Sequence, residues 1–255
     1  MATSVRSAEP VYQTALVNYL ISMARSVEGA VNRGIEALLQ PNGERAAGLA
    51  SEIFLNEPRI NEMELVIDEH AIRMLRGGAL PDADIRQIVS TLRINNDLER
   101  MGDLAVNIGQ RVVSLAQMER TEAPEELRPM SSAVRAMMSK ALGALIFRNV
   151  VLANEVLESD DAVDHYRDLV TERLLAQMTK DPTRIGPNMQ FILAARYLER
   201  IADHSTNIAE EVVFWVRGLD IRHGRGVQHA EQERARALAA EEAEAGRPSE
   251  PHARA

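Results

Sequence analysis

The chain has no cysteine. A disulfide and a thiolate-held metal are both excluded, so any bound metal must be held by oxygen or imidazole. Aromatic residues are only 4% of the sequence. No run approaches the roughly 20 apolar residues that span a bilayer, and MATSVRSAEP at the start lacks an apolar core of signal-peptide length. A cytoplasmic location is therefore expected. Strand signals are weak, with no Asn-Gly or Asp-Gly turn set between alternating apolar runs. There is no GxxxxGK[ST] phosphate loop and no GxSxG. A basic excess is missing too. The net charge is −9, which argues against a nucleic-acid partner, since that needs a basic face.

What the chain does have is helix-forming chemistry. Ala, Leu, Met, Glu and Arg abound, and these side chains lose little rotamer freedom in a helix. Leu16, Leu20, Met23, Val27, Val31, Ile35 and Leu38 recur in steps of three and four and define one face of a first helix, Val11 to Gln40. Pro41-Asn42-Gly43 stops it. A second helix is expected from Glu44 to Arg76, with Pro58 able to kink or divide it. A third runs from Pro81-Asp82 to Glu119. Thr121 to Pro129 is polar and links this half to the next. A fourth helix is expected from Met130 to Glu158, with Val134, Met137, Met138, Leu142, Leu145, Ile146 and Val150 as its apolar positions. A fifth, capped by Ser159 and Asp160, should reach Lys180. Asp181-Pro182 breaks the chain, and a sixth helix runs from Thr183 to Arg217, stopped by Gly218.

The halves match element by element. The expected fold is all-α, with two tandem antiparallel three-helix bundles, because short connections make neighbouring helices antiparallel. Residues 9–120 form the first bundle and 129–220 the second. Residues 222–255, polar and without an apolar face, read as a disordered tail.

Two segments carry the functional signal. Leu98 to Val113 reads LERMGDLAVNIGQRVV, and Leu198 to Val213 reads LERIADHSTNIAEEVV, with eight of sixteen aligned positions identical. Glu99 and Asp103 are four residues apart, as are Glu199 and Asp203, so each pair lies on one helical face a turn apart. Asn107 and Asn207 extend each stripe by a further turn. Like charges at this spacing repel modestly, and a cation would compensate them. Carboxylate and amide oxygens suit Mg²⁺, Ca²⁺, Mn²⁺ or iron. The plain alternative is an ion-pair network with Arg100, Arg196 and Arg200. His204 follows Asp203 in the second copy only, as a ligand, a neighbour of one, or a packing residue. No histidine stands three residues after a glutamate, so the Glu-x-x-His pattern of di-iron carboxylate enzymes is absent.

The two copies resemble the PhoU family, whose hallmark is a duplicated E(D)xxxD motif. Here it stands as Glu99-Arg-Met-Gly-Asp103 and Glu199-Arg-Ile-Ala-Asp203. LRINNDLERMGDLAVNI, ARYLERIADHSTNIAE and the upstream NEMELVIDE are also similar to the family. The resemblance spans about Val11 to His223. It implies a six-helix protein of two bundles, often a homodimer, that is not an enzyme. It implies metal ions, iron, zinc, manganese or magnesium, on Glu99, Asp103, Glu199 and Asp203, with Asn107, Asn207 and His204 as weaker neighbours. It also implies a cytoplasmic negative regulator that links the ATPase subunit of a phosphate ABC transporter to a sensor histidine kinase, and so meets the membrane only through partners. A metal-dependent phosphohydrolase and a metal-free helical adaptor are the alternatives. After Asp103 stands Leu104, not histidine. With His204 and Glu210, the second copy is richer in possible ligands and is expected to hold metal more tightly than the first.

Overall fold

The computed structural model describes residues 11–119 and 121–222. Among these, every regular element is helical: α1 (Val11–Leu39), α2 (Ala46–Arg76), α3 (Asp82–Ala116), α4 (Leu127–Phe147), α5 (Val150–Leu157), α6 (Asp160–Lys180) and α7 (Ile185–Arg217), with a 3₁₀ turn at Pro182–Arg184 before α7. Helices α1, α2 and α3 pack on one another, and in the second half α4 and α7 pack on each other and both take α5 and α6. The neighbours are antiparallel. Arg33 of α1 pairs with Glu52 of α2, while the earlier Ser26 receives a hydrogen bond from the later Asn56.

The apolar stripe read along α1 is its buried face. Leu16, Leu20, Met23, Val27, Val31, Ile35 and Leu38 are all fully buried. At roughly 1.5–3 kcal/mol for each such side chain removed from water, the stripe outweighs any propensity within the helix. Pro58 does not divide α2, which runs through it unbroken. At the end of α7, Gly218 takes φ +70 and donates its N–H to the carbonyl of Phe214. A residue without Cβ accepts that left-handed conformation at no steric cost.

The expected fourth helix, Met130 to Glu158, needs correction. It stops at Phe147, and Arg148 enters the left-handed region at φ +50. Asn149 then starts α5 by accepting hydrogen bonds from the N–H groups of Val151 and Leu152. The α4–α5 junction is thus a reversal of the chain. Helices α5 and α6 together form the second helix of this half, the counterpart of α2. The expected cap at Ser159 is also absent: its hydroxyl donates back to the carbonyl of Glu155, and its side chain caps nothing.

The two halves meet chiefly through α3 and α7, the most extensive helix–helix contact in the molecule, with α1 against α4 beside it. Helices α3 and α7 run antiparallel: Arg93 reaches Glu211, and Arg111 reaches Gln190. Met101 and Ile201, equivalent residues of the two motif copies, are both fully buried. One apolar core extends through both halves. Of the expected tail, only Arg222 is within the described residues, and it is bound back onto Asp220 and Glu211; residues 223–255 lie outside them.

Candidate metal centre

Glu99 and Asp103 stand on the α3 face that packs on α2. Gly102 lies between them, and a Cβ there would meet the Ile60 side chain at 3.3 Å, so the two helices approach closely at the motif. Two further carboxylates come from α2. Burial pushes the Glu99 carboxyl up, with the charges of Asp103 and Glu64 adding and Arg100 opposing. Burial likewise pushes Glu64 up, followed by Asp68 and, more weakly, Asp103. The first cluster is therefore Glu64, Asp68, Glu99 and Asp103. Fully buried Asn95 of α3 donates to Asp68 Oδ1 at 3.0 Å and to the Glu64 carbonyl at 3.1 Å.

The second cluster is built alike from α6 and α7. Partial burial pushes Asp203 up, with Glu199, Asp160 and Asp164 adding and His204 opposing. Asp160 is pushed up by burial and by Asp164, against a hydrogen bond from the Thr206 hydroxyl. A guanidinium sets the second cluster apart. Arg167 of α6 donates to Glu199, lies 3.3 Å from Asp164 and holds Asp168 at 2.8 Å. The buried positions Ile60, Ile67 and Ala71 of α2 correspond to Val163, Val170 and Leu174 of α6. In that register Arg167 takes the place of Glu64.

Desolvation and like charge both favour the protonated acid. Where they act on several carboxyls together, a cation relieves both. The donors are all oxygen, which suits hard or borderline ions. As the side chains stand, no three His, Asp or Glu among the described residues form a set that holds a metal ion.

The weaker candidates fall elsewhere. His204 Nδ1 meets Asp97 Oδ1 at 2.8 Å, and Asn207 donates to the same oxygen at 3.1 Å. Both contacts cross the α3–α7 seam. Asn107 is half-buried a turn beyond Asp103. In the repeat, Tyr197 replaces Asp97 and Leu104 replaces His204, so the acid and its histidine change together. Along the same seam, buried Glu211 pairs with Arg93 at 3.1 Å and Arg222 at 3.3 Å. Beside them opens a groove of about 610 Å³.

Sequence reasoning missed Glu64, Asp68, Asp160 and Asp164 as members of the clusters, and Asp97 as the link between halves. A signal existed for the first four: each motif is preceded, one helix earlier, by its own acidic pair at a four-residue spacing.

The family model described as PhoU domain matches residues 20–112 and again 127–212, one match on each half. The chain belongs to the PhoU family. A phosphate-specific transport system accessory protein PhoU homolog of Pseudomonas aeruginosa is 36% identical over 209 residues, covering 81% of this chain and 84% of that one. The homolog of Aquifex aeolicus is 32% identical over 204 residues, covering 80% and 90%. Among solved structures, PhoU of Pseudomonas aeruginosa superposes with a TM-score of 0.76 at 34% identity, covering 81% of this chain and 98% of that one. The phosphate transport system regulatory protein PhoU of Streptococcus pneumoniae gives 0.73 at 24% identity, covering 82% and 96%, and supports the fold. The PhoU relatives named here are accessory or regulatory proteins rather than enzymes. No helix among the described residues is long and apolar enough to cross a membrane.

Proposed function

We propose that this PhoU protein is an accessory regulator of phosphate-specific transport that restrains uptake and phosphate-starvation signalling when phosphate is plentiful. It works in the cytoplasm by docking on the ATPase subunit of the transporter and on a sensor histidine kinase. Membership of the PhoU family, with the acidic motif kept in both halves, carries this reading. The helices supply a rigid scaffold, and the regulated quantity is the difference in affinity for partners between two states of the protein.

Metal ions belong to the same proposal. The acidic clusters are the places for them, Glu64, Asp68, Glu99 and Asp103 in the first half and Asp160, Asp164, Glu199 and Asp203, which already share Arg167, in the second. The supporting observation is the gathering of carboxylates from two helices in each half, with Glu64 and Glu99 in one cluster and Asp160 and Asp203 in the other pushed up by burial and like charge. Iron, manganese, magnesium and zinc are the candidate ions. A bound ion would neutralise the cluster that holds it and fix its two helices against each other, as α2 against α3. A homodimer completes the reading. Leu65, Ile72 and Leu75 lie exposed along α2 and give a second copy apolar surface to bury; sedimentation velocity reads the state directly.

The decisive experiment is co-purification of the tagged chain from its own cells grown in high and in low phosphate. Recovery of the transporter ATPase or the sensor kinase, varying with phosphate, is the expected result. Recovery of neither in both media, with phosphate uptake unaltered by deletion of the gene, overturns the proposal.

A further inference from the structure

The two acidic clusters are not equivalent, and the difference lies in one amide and one guanidinium. Asn95 is 1% exposed. Its Nδ2 spends both hydrogen bonds on α2, at the Glu64 carbonyl and Asp68 Oδ1. Its Oδ1 is buried beside that turn and has no hydrogen-bond partner. A buried acceptor left unpaired costs roughly 1–3 kcal/mol, so this oxygen has an unmet need for a donor or a cation. Turning the amide over would face the oxygen to two acceptors and does not remove the need. At the matching position of the second half stands buried Ala195, which offers no such group.

The second cluster already contains a cation. Arg167 touches Glu199, Asp164 and Asp168 at once and is largely shielded. Its planar fork is pre-organised for carboxylates and loses little freedom in binding them. The first cluster has only Arg100, more than half exposed, with one 3.4 Å approach to Glu99. A pair of that kind is worth at most about 1 kcal/mol. An incoming ion displaces little at the first cluster and a seated guanidinium at the second.

We propose that a divalent cation binds at the first cluster, on the carboxylates of Glu64, Asp68, Glu99 and Asp103 with Asn95 Oδ1 engaged by the ion or its water, and that Arg167 is the resident cation of the second cluster and keeps metal out of it. This rests on the metal part of the proposed function. It reverses the order of the two sites expected from counting ligands in the sequence, since His204 is spent on Asp97.

The test uses the full chain, stripped with a chelator and titrated with Mn²⁺ alone, free Mn²⁺ being read by electron paramagnetic resonance. The unaltered chain should take up one tightly held ion. Glu99→Gln with Asp103→Asn should lose it, and Glu199→Gln with Asp203→Asn should keep it. Asn95→Ala should weaken it about tenfold, as expected from one lost coordinating or water-bridged contact of about 1.4 kcal/mol. Arg167→Gln should add a second tight ion, and Arg167→Leu, which also removes the charge, serves if the first variant does not fold. Loss of the ion in the Glu199/Asp203 variant with retention in the Glu99/Asp103 variant overturns the assignment. So does an unchanged count in both Arg167 variants. Absence of any tight ion in every chain, Arg167 variants included, overturns the metal reading itself, a different outcome from binding at the wrong cluster.

Discussion

Asp97 does at the scale of one residue what the acidic motif was expected to do. It gathers polar groups, but from another helix. A single oxygen accepts from Asn207 and meets His204, and the residue is 8% exposed. Asp97→Ala should cost about 1–3 kcal/mol, because it leaves polar partners without an acceptor. Urea unfolding measures this, and a loss under about 0.5 kcal/mol, the range of an ordinary surface change, would deny the link. Glu211 gives a pH prediction. Burial holds its carboxyl above the ordinary value, and Arg93 and Arg222 only partly oppose this. A group raised in the folded state binds its proton there first as pH falls, so stability increases through the folded value and the gain is complete below the unfolded one. Glu64, Glu99, Asp160 and Asp203 shift in the same direction. In chelator-stripped protein the thermal midpoint should therefore rise as pH is lowered from neutral toward about 5. Glu211→Gln should show a shallower rise; a slope equal to that of the unaltered chain would remove Glu211 from the account.

Among the elements, α3 and α7 carry the same motif against different surroundings. Gly109 of α3 has no room: a Cβ there would stand 3.0 Å from the Phe54 ring. Its counterpart in α7, Ala209, is fully buried with its Cβ in place. Gly109→Val should cost about 1–3 kcal/mol by overpacking, whereas Ala209→Gly should cost about 1 kcal/mol through helix propensity. Thermal denaturation of both variants checks the order. The long helices were legible because their apolar steps are regular, as in α1. The break after Phe147 was not: neither proline nor glycine marks it, and it depends on Arg148 accepting a left-handed conformation whose guanidinium lies over the Trp215 ring, 4.9 Å from its centre. Asn149 is the one local clue, since asparagine before an apolar run is a good helix start. Glu99, Asp103, Glu199 and Asp203 were readable as a repeat. Their partners on α2 and α6 depend on helix register, and Asp97 meets a histidine 107 residues away. Contacts at that range leave no local trace in a sequence.

For the whole molecule, the continuous core and the α3–α7 contact make the halves one cooperative unit. Helix content and the fluorescence of Trp215, which sits in the second half, should report coincident urea transitions; separated midpoints would show two independent units. The seam has a consequence for assembly. Because the chain is a tandem repeat, either half meets surfaces resembling its own on neighbouring molecules during synthesis. If two first halves paired through α3, Arg93 would face Arg111, the counterpart of Glu211, and Asp97 would face Leu104, the counterpart of His204. Like charges would meet, and a shielded carboxylate would lose its partners. Two second halves would set Glu211 against Leu193 and His204 against Tyr197. Only the pairing of a first half with a second half satisfies both positions. The few residues in which the copies disagree thus act as a key, and they keep a duplicated protein from assembling with the wrong half.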